Sequence, residues 1–229
     1  MILKDKKMQK VLIINIVFSI VVLICGNLFY NHIAVAKTIG SVLFVVQCLT
    51  NIVLGKLLYN KEKNIFVWVL LLAQIFACAG DIVLEINFAN GAIVFGIGHI
   101  LFLVAFYVLN KFNWKDIPFI LGLVIIVILV LTLYPNFDFK GMKAVIYAYG
   151  VIISIMLGKA MSNCLTSSNK KLNYVILLGA LLFYLSDLFL LFYKFAGIDG
   201  FTRFFCLHLY YPANCILAFC AFLSIYTKK

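Results

Sequence analysis

Apolar residues run through this chain in eight long stretches separated by short polar segments. The stretches lie near 11–30, 34–54, 65–88, 91–110, 117–134, 143–163, 172–195 and 203–226. Each is long enough to cross a hydrocarbon core of about 30 Å as an α-helix. The fifth is the shortest. The first follows Lys4, Lys6, Lys7 and Lys10, and Ala34-Val35-Ala36 superficially resembles a leader-cleavage site. Its apolar core exceeds the roughly 7–15 residues of a signal peptide, so the first run is read as a retained span. The short connections make consecutive helices antiparallel. The pattern therefore predicts an all-α polytopic membrane protein, a bundle of eight transmembrane helices forming one integral membrane domain over 1–229. Breakers fall where turns are needed: residues 87 to 91, Pro118, and Pro135-Asn136. Gly96-Ile97-Gly98 lies inside a predicted helix and reads as a packing groove, not a phosphate-binding loop.

Composition agrees with that class. The 229 residues are 66% hydrophobic and 12% charged, against about 45–50% and about 25% for a soluble domain. The net charge of +11 comes from 18 lysines and the single Arg203. In a soluble protein that excess would point to nucleic acid. Here the cations sit in short loops and tails, where they set topology and meet anionic head groups. With the N-terminus inside, 14 of them fall on the cytoplasmic side: Lys4, Lys6, Lys7, Lys10, Lys56, Lys61, Lys63, Lys111, Lys115, Lys159, Lys170, Lys171, Lys228 and Lys229. Lys37, Lys140, Lys143, Lys194 and Arg203 make 5 on the other side. Both termini are thus expected in the cytoplasm, and the plasma membrane of a bacterium is the expected location. The seven cysteines are scattered through apolar runs without a CxxC pair, as small packing residues would be.

Against this apolar background two carboxylates stand out. Asp81, in Ala79-Gly80-Asp81-Ile82-Val83-Leu84-Glu85, lies about seven residues from the end of the third run. At about 1.5 Å per residue that is roughly 10 Å below the interface. A carboxylate at such depth costs at least about 2.5 kcal/mol and by default faces protein or water in a functional site. Asp187, near the end of the seventh run, repeats the pattern. In the expected topology both fall in the outer half of the membrane. His99 and His208 enter from the same side on the fourth and eighth runs and reach a similar depth. Gln47 and Asn51 on the second run lie deeper.

Each of these residues has a plainer alternative. Glu85, one turn beyond Asp81 on the same face, is near enough to the interface to be solvated. His99 fits a core histidine bonded to a backbone carbonyl. His208 precedes Pro212 by four, so its carbonyl lacks an amide donor, a kink is expected, and the imidazole could serve that local structure. Tyr184, three residues before Asp187, shares its face, but it, Tyr210 and Tyr211 could be interface aromatics. The aspartates could be a structural polar pair, although helix glue is usually uncharged. Two histidines and two carboxylates would suit zinc, but no HxxxH or HxxE unit occurs, and no metal or cofactor is expected.

Several motifs in order resemble those of the lysoplasmalogenase (YhhN-type) family of eight-helix membrane proteins. They are Gly80-Asp81-Ile82-Val83-Leu84, then Gly91, Phe95, His99, Phe102 and Phe106 at their spacing, with Phe102 where a tyrosine is usual. Gly179-Ala180-Leu181-Leu182-Phe183 leading to Ser186-Asp187 is the most specific. Tyr210-Tyr211-Pro212-Ala213-Asn214 has asparagine for the usual glutamine, and Lys37-Thr38 lacks a usual proline. The likeness runs from about Lys37 to Leu217. It implies hydrolysis of the vinyl ether bond of lysoplasmalogens to a fatty aldehyde and a glycerophospho-base. It also implies Asp81 and Asp187 as the catalytic pair, with His99, Tyr184, Ser186, Glu85, His208, Tyr211, Asn214 and Lys37 as supporting or substrate-binding residues. Lys37 and Arg203 are candidates for the lipid phosphate, although snorkelling is the commoner role. The expected partners are a lysophospholipid substrate and membrane lipids.

Two readings of other classes stay open. A proton-coupled transporter also uses intramembrane carboxylates, but no inverted repeat or matching pair of broken helices is visible. A non-catalytic lipid-binding protein would keep the cavity without turnover.

Overall fold

The computed structural model describes residues 5–59 and 64–227. Of the lysines in the charge count, Lys4, Lys61, Lys63, Lys228 and Lys229 lie outside them. The described chain forms eight helices: α1 Lys6–Tyr30, α2 Ala34–Tyr59, α3 Ile65–Ile86, α4 Phe88–Leu109, α5 Asp116–Leu133, α6 Lys143–Thr166, α7 Lys170–Phe195 and α8 Phe201–Thr227. All eight are long and apolar enough to span a membrane. Along all eight, large apolar side chains such as Ile13, Val35, Ile75, Ile93, Ile125, Leu165, Leu178 and Phe204 face outward. That surface is what lipid tails require.

Side-chain caps explain several boundaries. Asp5 accepts from the Lys7 and Met8 amides and starts α1, and Asn169 accepts from the Leu172 amide and starts α7. Such caps satisfy amide donors that a helix leaves unpaired in its first turn. The turn expected over residues 87 to 91 is shorter than that. Asn87 alone is the hinge: its amide donates to the Val83 carbonyl as α3 ends, and its side chain accepts from the Asn90 amide as α4 begins. One extended residue with an amide side chain suffices to reverse the chain.

Helix α8 is the axis of the bundle. It packs on α1, α2, α3 and α7, while α5 packs on α6 alone. Helix α8 also continues through Pro212 to Thr227 rather than ending there. Lipid tails are as apolar as leucine, so close approach and polar contacts must hold such helices together. Both devices are present. A Cβ on Gly80 would come within 2.5 Å of the Phe95 ring, so the glycine before Asp81 is what lets α4 lie against α3. Gly98 in turn backs onto Ala73 and Ala77, the groove expected there. Deep in the bundle, Asn15 and Asn51 exchange amide hydrogen bonds of 2.8 Å, and Gln47 donates to Asn15 at 2.8 Å. Asn51 donates on to the Ala218 carbonyl at 3.0 Å. Gln47 and Asn51 thus tie α1, α2 and α8 together with neutral groups.

Lys159 departs from its expected place. It is not a free cytoplasmic charge: its Nζ lies 2.9 Å from Asp116 Oδ2 and 3.0 Å from the Lys111 carbonyl, with both side chains 0% exposed. The bias in the sequence survives without it. Removing one partner of such a pair strands the other charge, which costs about 3–5 kcal/mol. Lys159→Met should therefore lower thermal stability in detergent sharply, and Lys159→Met with Asp116→Asn should recover most of the loss. Equal melting temperatures for the single variant and the wild type would contradict a buried pair.

Candidate functional site

A cavity of about 410 Å³ opens at the end of the bundle that carries the α1–α2, α3–α4, α5–α6 and α7–α8 connections. The helical period builds its walls. Asp81, Leu84, Glu85 and Phe88 descend one line across α3 and the start of α4. Tyr184, Asp187, Leu191 and Lys194 line α7, and Arg203, Cys206, Leu207 and Tyr210 line α8. Ile146, Tyr149, Gly150 and Ile153 line α6, facing Val127 and Leu131 of α5. Residues at i, i+3, i+4 and i+7 share one face of a helix. Both aspartates are therefore on the wall of one cavity, brought there by helices that do not touch each other directly.

The carboxylates have different surroundings. Asp81 is 3% exposed. Its Oδ2 accepts from Ser41 Oγ and from Tyr210 Oη, the latter at 2.6 Å. Its Oδ1 lies 3.7 Å from Lys37 Nζ, which is also 2.6 Å from Glu85 Oε1. Lys37 and Ser41 are one turn apart on α2, so a single helix face supplies Asp81 with both a cation and a hydroxyl donor. Asp187 Oδ2 accepts from Tyr149 Oη at 2.8 Å and contacts His99 Nε2 at 3.1 Å. His99 Nε2 is also 2.8 Å from Tyr149 Oη. With its proton on Nε2, His99 donates toward both oxygens. Among the described residues, Asp187 has no lysine or arginine in contact. Each carboxylate thus has its Oδ2 held by two side-chain contacts, while Oδ1 of Asp81 faces the Lys37 ammonium.

Most of the expected supporting residues converge here. Glu85, Lys37, Tyr184 and Ser186 line the cavity. Ser186 does so as a tie, donating from Oγ to the Cys206 carbonyl at 2.8 Å and holding α7 to α8. His99, 1% exposed, stands behind Asp187 with its ring against Phe183. Three others are not brought into the cluster. His208 turns away: its Nδ1 bonds to the Phe204 carbonyl at 2.8 Å, and its ring stacks on Phe204. Tyr211 is a wedge whose ring fills the space left by Gly26 of α1 and Gly40 of α2, where a Cβ would come within 2.5 Å and 3.0 Å of it. Asn214 donates back to the Tyr210 carbonyl at 3.1 Å, and its own carbonyl accepts from Gln74 at 3.1 Å. It braces α8 beneath the site.

Ser41, Tyr149 and Lys194 are not site candidates in the sequence, and Tyr210 stands there as a possible interface aromatic and as the first residue of the Tyr210–Asn214 motif, with no role at Asp81. Ser41 could have been found from its one-turn spacing to Lys37, and Lys194 from its two-turn spacing to Asp187. Tyr149 carries no such signal. Among the described residues, no three His, Cys, Asp or Glu side chains converge as a metal-binding group.

The fold and the cavity define a class: a polytopic helical membrane protein with one buried and one half-buried aspartate on a pocket inside the bundle. Residues 33–221 match the YhhN family, and the chain belongs to it; lysoplasmalogenases are among its members. Comparison with curated proteins and with solved structures returns no match.

Proposed function

We propose that this membrane protein hydrolyses the vinyl ether bond of lysoplasmalogens, releasing a fatty aldehyde and a glycerophospho-base. The observation that carries the reading is the placement of Asp81 and Asp187 on one cavity with unlike partners, a lysine beside the first and, among the described residues, no lysine or arginine in contact with the second. Enol ether hydrolysis needs two such groups. An acid delivers a proton to the β-carbon of the double bond, and the ether oxygen shares the resulting positive charge with the α-carbon. Water then adds to the α-carbon and gives up a proton to a carboxylate. The resulting hemiacetal breaks its bond to the glyceryl oxygen, which leaves as the alcohol while the aldehyde forms. One proton is delivered, one is recovered, and one water is consumed. Glycosidases divide the same labour between two carboxyl groups in different surroundings.

Asp81 and Asp187 take these roles, and Tyr149 and His99 orient Asp187. The apolar wall of Val127, Leu131, Ile146 and Ile153 suits the hydrocarbon chain. The test is release of fatty aldehyde from a 1-alkenyl lysolipid by purified protein. Aldehyde production supports the reading, and intact lipid after prolonged incubation overturns it.

The reading is completed by orientation. With both termini cytoplasmic, the cavity opens in the outer half of the membrane. A cysteine introduced at Asn90 or Asp138 should then react with an impermeant thiol reagent on intact cells, and one at Lys170 only after permeabilisation. The reverse pattern would put the cavity in the cytoplasmic half.

A further inference from the structure

Three cations line the cavity, and they are not equivalent. Lys37 is committed, with Glu85 at 2.6 Å and Asp81 at 3.7 Å. Lys194 and Arg203 have no carboxylate partner among the described residues. Their neighbours are rings: Lys194 Nζ lies 4.8 Å from the centre of Tyr193 and 5.8 Å from that of Phe88, and the Arg203 guanidinium lies 5.3 Å from that of Tyr30. Ring faces orient a cation without neutralising it. Two cations without a carboxylate in contact stand on the wall of a cavity within an apolar bundle, and the carboxylate that shares the wall with Lys194, Glu85, is already paired with Lys37; such cations call for an anion. A guanidinium, with its planar fork of donors, suits the oxygens of a phosphate.

We infer that Arg203 and Lys194 form an anion subsite that takes the phosphodiester of a lysolipid head group and so sets the direction in which the lipid lies. The inference rests on the hydrolase reading for its choice of lipid. The geometry of the cavity supplies the direction. Its α5–α6 side is apolar, whereas Arg203 and Lys194 stand at the ends of α8 and α7 beside the α7–α8 connection. Lys194 is two turns beyond Asp187, about 10 Å along the helix axis. A glycerophosphate unit and the reach of a lysine span that interval. A phosphate held there places the ether oxygen near the aspartates and sends the hydrocarbon chain toward Val127 and Ile146.

The test compares binding of two lipids that cannot be turned over by this chemistry: a saturated 1-alkyl lysophosphatidylcholine and the matching 1-alkylglycerol, which lacks the phosphate. Wild-type protein in detergent micelles should bind the phosphate-bearing ether more tightly. Arg203→Gln and Lys194→Gln should each weaken that binding roughly tenfold, the loss of one charge-assisted contact. Binding of 1-alkylglycerol should hardly change, which also shows that the variants are folded. Lys143→Gln, which removes a cation outside the cavity lining, should change neither. Equal weakening for both lipids, or the same loss in Lys143→Gln, would overturn the subsite. Displacement of the lipid by millimolar inorganic phosphate would overturn its assignment to a lipid head group in favour of free phosphate. Turnover is scored separately. Phosphate-selective binding without aldehyde release would keep the subsite and remove the hydrolase reading, and aldehyde release indifferent to the phosphate would do the reverse.

Discussion

Asp81→Asn and Asp187→Asn are each expected to give a folded, membrane-inserted protein whose aldehyde release is lower by about 10²–10⁴-fold, the usual worth of general acid–base participation. Asparagine keeps the shape and the capacity to accept a hydrogen bond. At position 81 it can still accept from Ser41 and Tyr210, and at position 187 from Tyr149. What it lacks is a proton to deliver or the charge to steady an oxocarbenium ion. The loss should appear in kcat with little change in KM, because neither role contributes to binding the ground state. Residues that act as a unit are strongly non-additive, so the double variant should be scarcely worse than either single one. Near-normal turnover in either variant, measured against a matched amount of monodisperse protein, would remove that residue from the catalytic pair.

The second large effect concerns the substrate. A 1-alkenyl lysolipid should be cleaved while its saturated 1-alkyl counterpart binds and survives. The two chains present nearly the same apolar surface and the same head group, so their dissociation constants should differ by well under tenfold, or about 1.4 kcal/mol. Only the alkenyl chain can be protonated to a cation that the ether oxygen stabilises. The discrimination therefore belongs to turnover and not to binding. The saturated ether should act as a competitive inhibitor, with an inhibition constant close to the dissociation constant of the substrate. A 1-acyl lysolipid should resist in the same way, because among the described residues that line the cavity neither Ser186 nor Cys206 is hydrogen-bonded to a histidine that would activate it. Ser186, the hydroxyl next to Asp187, spends its proton on the Cys206 carbonyl. Rapid release of fatty acid from the acyl lipid would mean ester chemistry and a different hydrolase.

Much of this was legible in the chain, for physical reasons that also mark where legibility ends. Apolar runs of membrane-spanning length force helices, because no other open structure satisfies its backbone in lipid. Their ends were read to within a few residues except where a run continues past its apolar part, as α1 and α2 do. Asp81 and Asp187 were visible because a carboxylate at that depth is costly. Depth along a helix axis follows from residue counting, but rotation about the axis needs an anchor. His208 shows the difference. It lies at the depth expected of a site residue, yet Arg203, Cys206, Leu207 and Tyr210 define the inward stripe, and His208 falls one residue off it. A helix turns by about 100° per residue, enough to carry the ring to Phe204 instead.

Pairings between distant segments were the least legible. Lys159 resembles any topology-setting lysine, and Asp116 follows Trp114 and Lys115 like an interfacial residue. Nothing local reveals that 43 positions apart they neutralise each other. Tyr149 was missed for the same reason, since its partners Asp187 and His99 lie 38 and 50 residues away. Asn15 is the complement. Gln47 and Asn51 looked like deep polar residues in need of an explanation, and a third amide on α1 supplies it.

The most direct test of the central claim is to run the reaction in heavy water and weigh the product. If an aspartate protonates the β-carbon of the enol ether, purified protein acting on a 1-alkenyl lysolipid in D₂O should release a fatty aldehyde carrying one deuterium at the carbon next to the carbonyl. The label should be absent from the unreacted substrate, because protonation commits the molecule to capture by water. Aldehyde without that deuterium would exclude protonation at carbon, and failure to release any aldehyde would contradict the hydrolase assignment itself.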